Sequence, residues 1–143
     1  MSFLLATIGL INSSYSNSLT RNSLRYARLN EENDNYYYQS IELNVNQSGL
    51  YQIINDSPIF LYGYLYNNSF DPNNPSINLI TFDHDTPSNP NFSFSSDLNA
   101  NNRYILVITT VNPSRTGSFF LTISGAGETT FTTPIITTTT LEG

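Results

Sequence analysis

The chain contains no cysteine, no tryptophan and no lysine, and His84 is its single histidine. Without cysteine there are no disulfide staples, thiolate nucleophiles or thiolate zinc sites, and the sequence carries no mark of its redox compartment. One histidine cannot fill the usual zinc ligand sets. It could serve a Ser-His-Asp relay, but no Gly-x-Ser-x-Gly elbow presents a nucleophile to it. No carboxylate pair sits in a context suited to glycoside hydrolysis, and such clefts need a larger scaffold. Enzymatic activity is therefore not expected. Charge is scarce as well, at 11% of residues against about 25% in ordinary domains, so neutral Asn, Ser and Thr must keep the surface wet. The basic residues are Arg21, Arg25, Arg28, Arg103 and Arg115, the formal net charge is -6, and the sequence pI is near 4.3. Such a surface repels phosphate backbones, which argues against nucleic acid as a partner. Long apolar runs are missing too. The longest, Phe3–Ile11, has about half the roughly 20 residues of a bilayer-spanning helix, so no membrane span is expected. As a signal-peptide core it lacks a basic n-region and a small-x-small cleavage pattern, which favours a strand.

What is present is β-prone. At 143 residues the chain can bury one sandwich core. β-Branched and aromatic residues dominate, and Asn, Pro and Gly interrupt them about every eight to twelve residues, the spacing of an all-β sandwich or barrel. Strands are expected at Phe3–Ile11 and, more weakly, Tyr15–Thr20, followed by a polar stretch to Asn35. Ile41, Leu43 and Val45 alternate with Glu42 and Asn44, as in a strand with one buried face. Gln47-Ser48-Gly49 then predicts a hairpin return over Leu50–Ile54. Further strands are expected at Phe60–Tyr66, Ile77–Phe82, around Phe92 and Phe94, at Tyr104–Val111 and at Ser118–Ser124. The tail Gly127–Thr140 is Thr-rich around Pro134, a composition of linkers and O-glycosylated stalks, although Thr and Ile also pair well with an open sheet edge. The expected organisation is an apolar strand at 1–14, a sandwich domain at 15–126 and a tail at 127–143.

Several of these segments carry a resemblance. Tyr62-Gly-Tyr-Leu-Tyr66 runs into an Asn-Asn-Ser turn; Asn78-Leu-Ile80 enters an Asp-x-Asp loop; Arg103-Tyr-Ile-Leu-Val107 and Thr116-Gly-Ser-Phe-Phe-Leu-Thr-Ile123 follow. Upstream, Tyr37-Tyr-x-x-Ile-x-Leu-x-Val45 precedes Ser48-Gly-Leu-Tyr51. From Tyr36 to Gly125 the chain thus resembles the bacterial prepeptidase C-terminal (PPC) domain family and related jelly-roll repeats of secreted and surface proteins. The resemblance implies a single antiparallel, jelly-roll-like β-sandwich that is not catalytic and serves as a binding, solubility or adhesion module, with calcium in some members. Asn99-Ala-Asn-Asn102 stands where the family is usually rich in Ala and Gly, and the acidic loop Phe82-Asp-His-Asp-Thr86 lacks an adjacent Asp pair.

Four groups of candidate residues follow. Calcium takes six to eight oxygen ligands, and Asp83 and Asp85, with Asp71 in the preceding loop, form an incomplete cage; the competing reading has them bonding their own backbone in turns. Tyr62, Tyr64 and Tyr66 fall on one strand face: a ligand platform for glycans, a subunit contact, or rings packed at the sandwich rim. Sequons at Asn12, Asn46, Asn55, Asn67 and Asn91, and the threonines Thr137, Thr138, Thr139 and Thr140, are candidate glycan attachment points and favour an extracellular or cell-surface location. Arg21, Arg25 and Arg28 face Glu31, Glu32 and Asp34 in sequence, as a solvated ion-pair cluster or an anion contact. Last, Phe3, Leu4, Leu5, Ile8, Leu10 and Ile11 form a segment that would not stay free in water. Donated to the open edge of another copy it would build a head-to-tail filament; folded back, it would be an ordinary first strand.

Overall fold

A computed structural model describes residues 9–133. Ten strands make up its regular structure: β1 (Ile11–Leu19), β2 (Leu24–Tyr26), β3 (Tyr36–Val45), β4 (Gly49–Asn55), β5 (Leu61–Asn67), β6 (Leu79–His84), β7 (Ser93–Leu98), β8 (Tyr104–Thr110), β9 (Gly117–Gly125) and β10 (Thr129–Thr132). They form two antiparallel sheets, one ordered β1-β9-β4-β7 and the other β10-β3-β8-β5-β6 with β2 also on β3. Setting β2 and β10 aside, β1-β9-β4-β7 facing β3-β8-β5-β6 is the strand order of a jelly roll. The expected fold class holds.

Alternation produces the main core. Tyr51 and Ile53 of β4, and Phe119, Leu121 and Ile123 of β9, turn inward; Ile41 and Leu43 of β3 and Leu106 and Ile108 of β8 meet them. The opposite face of the second sheet is also buried, under a layer holding Tyr26, Tyr36, Tyr38, Tyr64, Tyr66, Ile105 and Val107. β8 consequently has all seven residues buried, which is why it reads as a continuous apolar run without alternation.

The predicted β3–β4 hairpin does not form, because β3 has no free side. β8 occupies one edge, while β2 pairs with Tyr36–Tyr38 and β10 with Glu42–Val45 along the other. The chain therefore turns a corner after Val45 and β4 joins the other sheet, between β7 and β9. The Tyr51 hydroxyl fastens that corner, donating to the Gln47 carbonyl at 2.5 Å and accepting from the Gly127 amide at 3.0 Å. Its ring lies over Gly125, where an added Cβ would fall 2.2 Å from a ring carbon, so only glycine fits.

Both described ends join the sheets. The first described strand is the polar segment Ile11–Leu19, paired over its whole length with β9. The start of the tail is part of the sandwich: Thr129–Thr132 closes on β3, and Phe131 packs against the core beside Tyr15. Phe3, Leu4, Leu5 and Ile8, and Thr137 to Thr140, lie outside the described residues.

Candidate functional site

The acidic loop is a structural node. Asp85 is buried, and its Oδ1 accepts the Phe92 amide at 2.7 Å while Oδ2 accepts the Leu61 amide and the Asn55 Nδ2, each at 2.8 Å. One carboxylate thereby ties the end of β4 and the starts of β5 and β7, joining both sheets. Burial raises the pKa of this carboxyl above its ordinary value, and the three hydrogen bonds pull the other way. Three donors thus already occupy most of the lone-pair directions of Asp85. Asp83 sits opposite Gly63 on β6 and accepts the next amide, that of His84. Asp71 lies beyond the other end of the β5–β6 hairpin, bonded to Asn73 and Asn74 in its own turn. Hairpin length alone separates it from Asp83 by roughly 15 Å, and among the described residues no three acidic or histidine side chains converge as a metal-binding group.

Nor do the tyrosines form a platform. Tyr64 and Tyr66 are 1% and 0% exposed, because the 20–35 segment and Phe70 cover the sheet face from which they project. The Tyr66 hydroxyl donates to the Pro75 carbonyl at 2.6 Å. Tyr62 alone is partly exposed; it stacks on Tyr64 at 5.3 Å and on His84 at 4.5 Å, and Phe82 stacks against Tyr64 at 5.5 Å.

Arg28, expected in a solvated cluster, is buried between two of these rings, 4.0 Å from the Tyr62 centroid and 4.8 Å from that of Tyr36. It donates to the Val111 carbonyl at 3.2 Å and to the Tyr64 hydroxyl at 3.5 Å. A cation stripped of water is held here by ring faces and oxygen dipoles. The single ion pair among the described residues is Arg103–Glu42, at 3.4 Å. A cleft of about 550 Å³ opens beside the layer, but it sets Glu31 and Asp34 against Arg25 and Arg28 and so offers no net positive surface for an anion.

Of the five sequons, Asn12, Asn46, Asn67 and Asn91 are exposed. Asn55 is not: it is 0% exposed, with its side-chain amide spent on Asp85 and Ser57, and no glycan could be attached there without opening the node.

The exposed apolar residues are distributed unevenly over the sheet edges. β1, β7 and β10 present mainly Asn, Ser and Thr outward. On and just before β6, in contrast, Ile77, Ile80 and Phe82 are 52%, 43% and 45% exposed, and among the described residues β6 pairs only with β5. A second apolar exposure, Leu10 and Ile11 at 65% and 40%, marks the entry to β1 on the opposite flank. Compared with known proteins, the chain matches no family model and no curated protein.

Proposed function

We propose that this chain is a non-enzymatic, extracellular structural module that assembles with copies of itself through its apolar N-terminal segment. One observation carries the reading: where the apolar run Phe3–Ile11 enters β1, Leu10 and Ile11 stand exposed, at 65% and 40%, instead of being buried in the described cores. An extended apolar segment added to an exposed sheet edge is β-augmentation. The exposed sequons Asn12, Asn46, Asn67 and Asn91 support an extracellular setting. The PPC resemblance supplies the type of module. Removing residues 1–10 is expected to convert polymer to monomer in sedimentation and electron microscopy; polymer that persists overturns the proposal.

A second reading is adhesion through glycan stacking, favoured by the partly exposed rings of Tyr62 and Phe82 beside His84. Phe82→Ala is expected to abolish glycan-array binding under that reading and to leave the fold intact.

A further inference from the structure

Resting on that assembly reading, we infer that the acceptor for the donated segment is the free edge of β6 in a second copy, with Ile77, Ile80 and Phe82 as its apolar contacts. Four observations converge on this edge.

First, edges exposed to water are normally guarded by Lys, Pro, inward charges or bulges. This chain has no Lys, and β6 carries no Pro. It does have a register irregularity, at Leu65/Tyr66 opposite Leu79–Thr81, and a charge, Asp83, on the face opposite Phe82, but Phe82 and Ile80 remain exposed beside them. Second, β1, β7 and β10 are edges as well, yet their outward residues are polar, so they gain little from an apolar strand. Third, the donor pattern fits. As a donated strand the segment would set Leu4, Ala6, Ile8 and Leu10, all apolar, on the Phe82 side of the β6 edge, and Phe3, Leu5, Thr7, Gly9 and Ile11 on the other face, towards Thr81 and Asp83.

Fourth, distance separates donation within a chain from donation between chains. β1 and β6 stand on opposite flanks of the sandwich. Crossing a four-strand sheet spans about 14 Å at the interstrand spacing, which consumes about four or five extended residues. That would leave only about five or six residues to pair with β6, and would remove Ile8 and Leu10 from the pairing face. A neighbouring copy imposes no such loss. Because donor and acceptor are different surfaces the contact is heterologous, and their placement on opposite flanks directs each added copy away from the last, head to tail as in a filament.

The test uses the full chain carrying Ile80→Lys and Phe82→Lys on β6, with Ser95→Lys on β7 as the control edge and a chain lacking residues 1–10 alongside. Each variant is first checked for a cooperative urea transition, and a synthetic peptide of residues 2–11 is titrated onto the deleted chain. The expected result is that the β6 variants lose polymer at least tenfold and the deleted chain with Phe82→Lys no longer binds the peptide, whereas Ser95→Lys assembles normally. If the deletion abolishes polymer but the β6 variants assemble and the deleted chain with Phe82→Lys still binds the peptide, the β6 assignment is overturned while donation stands. If the deleted chain still polymerises, or the intact chain never does, the assembly reading fails and this inference falls with it. An independent check exploits the absence of cysteine. Chains bearing Ala6→Cys mixed with chains bearing Ile80→Cys should oxidise to crosslinked dimers, whereas crosslinking to Ser95→Cys instead would place the acceptor on β7.

Discussion

Replacing Asp85 with asparagine separates a structural carboxylate from a metal ligand. In the better of its two orientations, the Asn oxygen takes the place of Oδ2 and still accepts from the Leu61 amide and Asn55. The Asn amide then faces the Phe92 N–H, donor against donor, where a 2.7 Å hydrogen bond stood. The opposite orientation strands two donors instead of one. Each buried group left without a partner costs about 1–3 kcal/mol, so the orphaned Phe92 amide and the unanswered Asn N–H together cost about 2–6 kcal/mol. That is a large part of the roughly 5–15 kcal/mol that holds a domain of this size folded. Urea unfolding of the variant should show a midpoint lowered to match, with an unchanged slope. Asp83→Asn is the matched control, since Asp83 bonds only the neighbouring amide, and it should move stability by no more than about 0.5 kcal/mol. The reasoning is refuted if the two variants unfold alike. It is refuted too if calcium stabilises the wild-type chain and a chelator removes the effect, because a cation held by N would appear as such a shift.

Three further outcomes are expected. Arg28→Lys loses the flat stacking between Tyr36 and Tyr62 and should cost about 1–3 kcal/mol in urea unfolding, whereas Arg25→Lys, at an exposed position, should cost almost nothing. Gly125→Ala drives a methyl into the Tyr51 ring and should destabilise by about 1–3 kcal/mol; in a Tyr51→Leu background most of that penalty should disappear, as a double-mutant cycle would report. Burial pushes the Tyr64 hydroxyl up to about 12 and raises Tyr26, Tyr38 and Tyr66 as well. The unfolded chain therefore releases these protons first, so stability is intact below pH about 10 and falls as pH rises beyond it. Tyrosinate absorbance should accordingly develop together with alkaline unfolding; ionisation of these rings in the folded chain would contradict the buried layer.

The strands were legible where local pattern decides them. The run of β8 and the alternation of β4 and β9 report their burial directly, whereas the doubly apolar β5 fitted a covered strand, an exposed platform or a subunit contact equally. Pairing was less legible. Nothing within residues 41–54 shows that β10, more than eighty residues onward, occupies the edge β4 would need for a hairpin. The node was illegible for the same reason: Asp85 meets partners 7, 24 and 30 positions away, so an Asp-x-Asp loop looked like a cation loop. Arg28 read as one of three solvated arginines because sequence gives charge but not cover. The neighbouring Tyr26 and the Tyr36-Tyr-Tyr38 run were the available signal, since a guanidinium among several tyrosines has ring faces to enter. The sequon at Asn55 was misleading because attachment needs an exposed side chain, and the triplet encodes none.

The layered cover over the second sheet has a consequence for how the molecule opens. Residues 20–35 hold that cover through one three-residue ladder, β2 on β3, through Arg28, and through hydrogen bonds donated by the Tyr36 hydroxyl to Glu31 and by the Ser114 amide to the Asn35 carbonyl, while β8 behind it is hydrogen-bonded to β3 and β5. The cover can peel away while the jelly roll stays closed, as a separate cooperative unit of lower free energy. In amide hydrogen exchange, the 20–35 segment should then exchange through this partial opening, and Tyr104–Thr110 only through global unfolding, so one chain would report two stabilities.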